Sequence, residues 1–229
     1  MDSIYYLRGW VMYRQKNLEL SARKLLMVSD ESPVFHKSHF FGAYNLAHSG
    51  QHQEAKHTLE QIPTEGGSML EAMQRFQLSG VALLRNDLSE YQKVASEFNG
   101  IFHVMAQQER NMEMHRQRIE NTRIPSPALA GILSAAVPGL GRVYAGKNAE
   151  GIISFLYLAA MGLTTYDFYR GGGAGSPMFI ISASVTGFFY AGNIYGSAIA
   201  ARRVNQEFRH EMEQRILFDM HIPLRNAFN

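Results

Sequence analysis

The chain has 229 residues, a formal net charge of +2 and no cysteine. That length leaves room for one or two domains, and a near-balanced charge without Lys/Arg runs interleaved with aromatics argues against a nucleic-acid partner. The missing thiol excludes disulfides and thiolate chemistry.

Composition shifts along the chain. Residues 1–126 are polar and charged, residues 127–201 are apolar and rich in glycine and alanine, and residues 202–229 are polar again. The start, Met1-Asp-Ser-Ile-Tyr-Tyr-Leu-Arg8, lacks the basic and apolar regions of a secretory signal. The expectation is a chain made without one, or one whose leader has been removed.

Residues 3–62 carry a self-similar unit at an offset of 33, with Gly9 recurring as Gly42, Asn17 as Gly50, Ala22 as Ala55 and Leu26 as Leu59. Small residues at a helix crossing, a turn near Asn17 or Gly50 and leucines in the groove predict antiparallel helical hairpins. A third, degraded copy is expected over Ala72–Phe98, with Gly80 at the crossing and Asn86-Asp87 at the turn. Asp30-Glu-Ser-Pro33 and Pro63-Thr-Glu-Gly-Gly-Ser68 punctuate the helices, with Thr64 or Ser68 as a cap. The aromatics Tyr5, Tyr6, Trp10, Phe40 and Tyr44 are read first as packing between helices and second as a partner surface. From Ile101 to Arg123 a polar helix with a narrow stripe of Ile101, Met105, Met112 and Ile119 reads as a connector to a bilayer surface. Pro125 and Pro127 end it.

The apolar part follows. Pro127–Val137 is about half the length of a bilayer span, so residues 127–146 are expected to lie at the interface or re-enter. Pro138-Gly-Leu-Gly-Arg-Val-Tyr-Ala-Gly146 specifies tight backbone with little bulk, and Arg142 and Lys147 suit the headgroup zone. Gly151–Tyr169 carries Asp167 as its one formal charge, and Met178–Ala201 carries none. A span needs roughly 20 mostly apolar residues, and Arg170-Gly-Gly-Gly-Ala-Gly-Ser-Pro177 breaks both helices. Two spans in a helical hairpin are expected, over 151–169 and 178–201.

The string P-G-L-G-x-x-Y-x-G, here Pro138, Gly139, Leu140, Gly141, Tyr144 and Gly146, resembles the TM2-like membrane domains of bacteria when two spans follow it. Residues Ala43–Ala55 resemble the tetratricopeptide repeat. The layout, including Ser126–Gly141 and Gly192–Arg202, is similar to bacterial tetratricopeptide-repeat membrane proteins. The resemblance implies an integral membrane protein with a repeat domain, and it brings no catalytic residues.

Gly162 is expected to face the small residues of the second span, among them Gly192, Gly196 and Ala200, in close packing within the hairpin or in a homodimer. Asn193 is expected to satisfy the Pro138–Gly141 backbone or, as the second reading, to serve transport or a lipid headgroup, and Asp167 to pair with Arg170. Arg142, Lys147, Arg202 and Arg203, the candidate headgroup contacts, flank the spans against Arg170 alone in the turn. This charge bias expects both termini in the cytoplasm of a bacterium, or in the periplasm if a signal has been removed. The tail Val204–Asn229 reads as a helix to about Leu217, with a stripe of Phe208, Met212, Ile216 and Leu217 that docks on the repeats or lies along lipid.

Nine histidines include the pairs His36/His39 and His48/His52, but no third ligand stands nearby, so no metal is expected. Gly139-Leu-Gly141 follows no strand and is not a nucleotide fingerprint. The sequence therefore predicts an all-α, non-enzymatic chain without cofactor: TPR-like hairpins over 1–100, a connector over 101–126, a membrane domain over 127–203 and an amphipathic tail over 204–229. The expected role is a membrane-anchored scaffold whose repeats bind a protein partner, in envelope biogenesis or membrane-protein insertion. The alternative is a lipid-binding module or an oligomer that moves a small solute.

Overall fold

The computed structural model describes residues 1–98 and 102–228. Every regular element among them is a helix. Ile101, expected to head the connector stripe, lies outside the described residues, as do the boundary set at 100/101 and Asn229. The chain divides into two compact units, one formed by Met1–Thr122 with Glu211–Asn229 and the other by Arg123–His210.

In the first unit, α1 (Asp2–Arg14) packs on α2 (Leu18–Leu25), α3 (Phe35–His48) on α4 (His52–Glu60), and α5 (Met69–Leu84) on α6 (Leu88–Ala95). Each hairpin turns through one left-handed residue: Lys16 (φ 59°), Gly50 (φ 80°) and Asn86 (φ 57°). Asn17 and Asp87 then cap the second helix, accepting N–H bonds from Leu20 at 3.3 Å and Glu90 at 2.9 Å. Gly50 thus corresponds to Lys16, not to Asn17, and the first turn recurs after 34 residues, not 33. The left-handed position fixes the register, and the buried leucines that match in it are Leu25 and Leu59.

Glycine is required where helices meet. A β-carbon on Gly9 or Gly42 would lie 2.6 Å from the side chain of Leu25 or Leu26, respectively, so Gly42 faces back onto the preceding hairpin. Ser68 caps α5 by accepting from the Glu71 N–H at 3.2 Å, while the Glu71 carboxylate accepts from the Gly67 N–H at 2.6 Å. Thr64 instead donates to Gln74.

The expected connector is part of this core. Met105 and Met112 of α7 (His103–Asn121) are fully buried with Phe40, Phe76 and Tyr91. The expected tail is not a separate element either. It is the end of α11 (Pro177–Phe228), which continues past Leu217 and through Pro223. Proline removes one helical N–H bond, but Ile216, Leu217, Met220 and Leu224 are buried in the same core and hold the turn in place. The Asp219 carboxylate accepts from Asn111 Nδ2 and pairs with His115 Nε2, each at 2.8 Å. Gln77 Nε2 donates to the Met220 carbonyl at 2.8 Å. Of the two sites open to the tail, the residues from Glu211 onward take the hairpins.

The second unit comprises α8 (Pro127–Ala136), α9 (Leu140–Tyr144), α10 (Asn148–Gly172) and the first part of α11. Pro127 opens α8 behind the Ser126 cap. Both long helices are of a length and apolarity that can cross a membrane, yet only 11% of the most apolar window of α10 and 6% of that of α11 is buried. A core helix of a water-soluble domain would be mostly covered. Here Ile153, Leu156, Leu163, Ile181, Phe188 and Tyr195 are exposed.

Candidate functional site

The glycine-rich string builds a tight junction of short helices rather than an irregular loop. Gly139 (φ 81°) starts α9 in the left-handed region, and a β-carbon there would collide with the Gly151 carbonyl oxygen of α10. A β-carbon on Gly141 would collide with the Ala130 carbonyl oxygen of α8. Tyr144 anchors the entry to α8: its hydroxyl accepts from the Ser126 N–H at 3.2 Å, and the Arg123 guanidinium lies 5.4 Å over its ring. Pro138 precedes the junction and Gly146 (φ 82°) closes it in open space, while Leu140 points outward.

The backbone at this junction is satisfied by a residue that the sequence reading missed. The Gly141 N–H donates to Ser134 Oγ at 2.9 Å, Ser134 Oγ donates to Ser197 Oγ at 2.7 Å, and Ser197 Oγ donates to the Asn193 carbonyl at 2.8 Å. Asn193 was expected in that role, but its side-chain amide takes no part. The signal for Ser134 was a hydroxyl on the small face Ala130, Gly131 and Ser134 of an otherwise apolar helix.

Arg142 turns inward from α9. Its Nη1 donates to Ser154 Oγ at 2.9 Å, and a β-carbon on Gly196 would lie 2.8 Å from its Nη2. Gly196 therefore makes room for a guanidinium, not for a second helix backbone. Arg142 Nε is buried with no protein partner, and among the described residues no carboxylate forms an ion pair with Arg142. Asn193 is 6% exposed, and both its Nδ2 and its Oδ1 are buried without a protein partner. Arg142 and Asn193 line one cavity of about 370 Å³ with Ser154, Tyr157, Leu158, Phe188, Phe189 and Gly192. Binding cavities run roughly from 300 to 1,000 Å³. An unmet buried amide costs about 1–3 kcal/mol, and a buried charged group without a partner costs more. An anionic oxygen in this cavity would meet the guanidinium and the Asn193 Nδ2 donor, and a hydroxyl would meet the Asn193 Oδ1 acceptor.

Other expected positions fall elsewhere. Gly162 and Gly192 are exposed, and a β-carbon on either would meet nothing within 4 Å, so neither is a point of close helix packing within the chain. α10 and α11 are bridged instead by Thr165 and Thr186, whose hydroxyls bond at 2.9 Å, and by the ring pairs Tyr157/Phe189 and Tyr169/Phe179. Ala200 is half-buried. Lys147 pairs with Glu207 at 3.9 Å, whereas Arg202 and Arg203 are exposed. Asp167 and Arg170 are both exposed and form no ion pair with each other.

In the first unit, Phe40 is fully buried in the core, Tyr44 is buried there with only an edge open to the cavity beside Tyr13 and His48, and Tyr5, Tyr6 and Trp10 are half-buried. Trp10 packs edge-on to Phe41 at 4.8 Å, beneath Lys37. The apolar surface of α1 is instead Ile4, Leu7 and Val11, spaced along one face, with Leu7 61% exposed. Their i, i+3, i+7 spacing was legible in the sequence. Among the described residues no group of three or more His, Cys, Asp or Glu is placed to hold a metal.

Compared with protein-family models, with curated proteins and with solved structures, the chain matches none.

Proposed function

We propose that the chain is a membrane-anchored adaptor. In this reading α10 and the first part of α11 cross a bilayer as a hairpin whose turn, residues 173–176, lies on one side. The segments flanking the hairpin lie on the other side, and the charge bias makes that the cytoplasmic side of a bacterial inner membrane. The helical hairpins act as a TPR-like platform for a protein partner.

The observation that carries the adaptor reading is the ridge Ile4, Leu7 and Val11. A helix face that meets only water is ordinarily polar. This one is apolar, at the spacing with which a helix fills the groove of another protein. Purification of the full chain from its native membrane in mild detergent tests the reading. The expected result is a stoichiometric protein partner that is lost on Leu7→Glu and kept on Arg8→Glu at the neighbouring exposed position. A partner retained by Leu7→Glu, or no partner at all from the native chain, overturns it.

A further inference from the structure

We infer that the cavity of Arg142 and Asn193 is a binding site for the headgroup of an anionic glycerophospholipid that keeps a free hydroxyl, as phosphatidylglycerol does. Three features of the cavity define that chemistry. The Arg142 guanidinium brings a fixed positive charge, has no carboxylate partner, and holds a buried Nε–H without an acceptor. Planar guanidinium forks match phosphate oxygens. Asn193 adds both a donor and an acceptor with no protein partner, so its amide meets a phosphate oxygen and a hydroxyl whichever way it is flipped. A choline headgroup offers no hydroxyl to the Asn193 carbonyl oxygen.

The rim sets the source of the phosphate. Tyr157, Phe188 and Phe189 line the cavity and are exposed on the outside of the two long helices. Asn193 lies nine residues of helix before Arg202, about 13 Å at roughly 1.5 Å per residue. A free anion would have to shed its water across that apolar rim, whereas a lipid brings acyl chains to cover it. Ser154 fixes the guanidinium through Nη1, and the missing side chain of Gly196 gives it space. The pair Gly192-x-x-x-Gly196 is thereby assigned to ligand access and guanidinium space instead of helix dimerisation.

Native mass spectrometry of the full chain in detergent tests the site, with dioleoyl phosphatidylglycerol, dioleoyl phosphatidylcholine or inorganic phosphate added in turn. The expected result is one retained phosphatidylglycerol per chain, held about tenfold or more tightly than phosphatidylcholine, with no effect of inorganic phosphate. Arg142→Gln and Asn193→Leu each abolish that preference, whereas Arg225→Gln, at an exposed position of the first unit, leaves it intact. If Arg142→Gln does not yield folded protein, Asn193→Leu decides alone. Equal retention of the two lipids, retention unchanged in Asn193→Leu, or saturation by inorganic phosphate overturns the inference. The inference rests on the bilayer reading of α10 and α11, and the two fail differently. A chain that stays monodisperse without detergent overturns both, and a detergent-dependent chain without lipid preference overturns this one alone.

Discussion

Met220→Ala removes a fully buried side chain that sits on Gly80 of α5, where a β-carbon would lie 2.5 Å from its sulfur. The Met220 carbonyl, which accepts from Gln77 Nε2, is unaffected, so the loss is one of packing. Met→Ala in a core costs about 2–5 kcal/mol. That corresponds to roughly thirtyfold to a few thousandfold faster amide exchange in helices that open only with the whole unit. Hydrogen exchange read by mass spectrometry on the full chain in detergent should show that acceleration in peptides from α3 and α5. Arg225→Ala, at an exposed position of the same helix, should change it by less than about 0.5 kcal/mol equivalent. If Met220→Ala leaves α3 and α5 protected while residues 211–228 exchange freely, the end of α11 does not belong to the hairpin core.

The remaining predictions concern acid sensitivity and the glycine junction. Burial holds His39, His52 and His221 below the ordinary histidine value of 6.5, so the folded unit favours their neutral forms. The unfolded chain then binds more protons, and the contribution to stability is present above about pH 6.5 and lost as pH falls through the folded values. The urea midpoint followed by Trp10 fluorescence should fall between pH 7.5 and 5, and less so when His39, His52 and His221 are all glutamine; a midpoint that rises on acidification refutes it. Gly139→Ala should lower thermal stability in detergent by the left-handed penalty of about 1–2 kcal/mol plus an overpacking cost of about 1–3 kcal/mol against the Gly151 carbonyl. Gly146→Ala, left-handed but in open space, should show the first cost alone, and equal losses would contradict the packing of α9 on α10.

Much of this arrangement was legible in the sequence because local chemistry dictates it. Glycine or an amide-bearing residue marks the turns at Gly50 and Asn86, Ser68 caps α5, and two long apolar runs, with Asp167 the one charge in them, predict α10 and the start of α11. What escaped the reading depends on contacts distant in the chain. The bond from Gln77 to Met220 and the pair His115/Asp219 turn a tail into core, and nothing local marks them. Pro223 pointed the other way, since proline ordinarily ends a helix, and burial of its neighbours overrode that preference. At the cavity, the sequence shows Arg142 as a charge beside a long apolar helix but not that its side chain turns inward to Ser154 and Gly196. Glycines at 162 and 192 had the spacing of a packing face, yet large aromatic pairs set the separation of α10 and α11, so the small residues remain uncovered.

The central claim is that lipid surrounds the uncovered faces of α10 and α11. The chain contains no cysteine, so single substitutions report cleanly. Ser29→Cys in α2's following loop, Leu163→Cys on α10 and Gly175→Cys in the hairpin turn can each be challenged with an impermeant thiol reagent in intact and in opened membranes. The account predicts that positions 29 and 175 label from opposite sides and that position 163 labels only after detergent solubilisation. Labelling of position 163 in intact membranes as fast as position 29 or 175 would place that face in water and contradict the account.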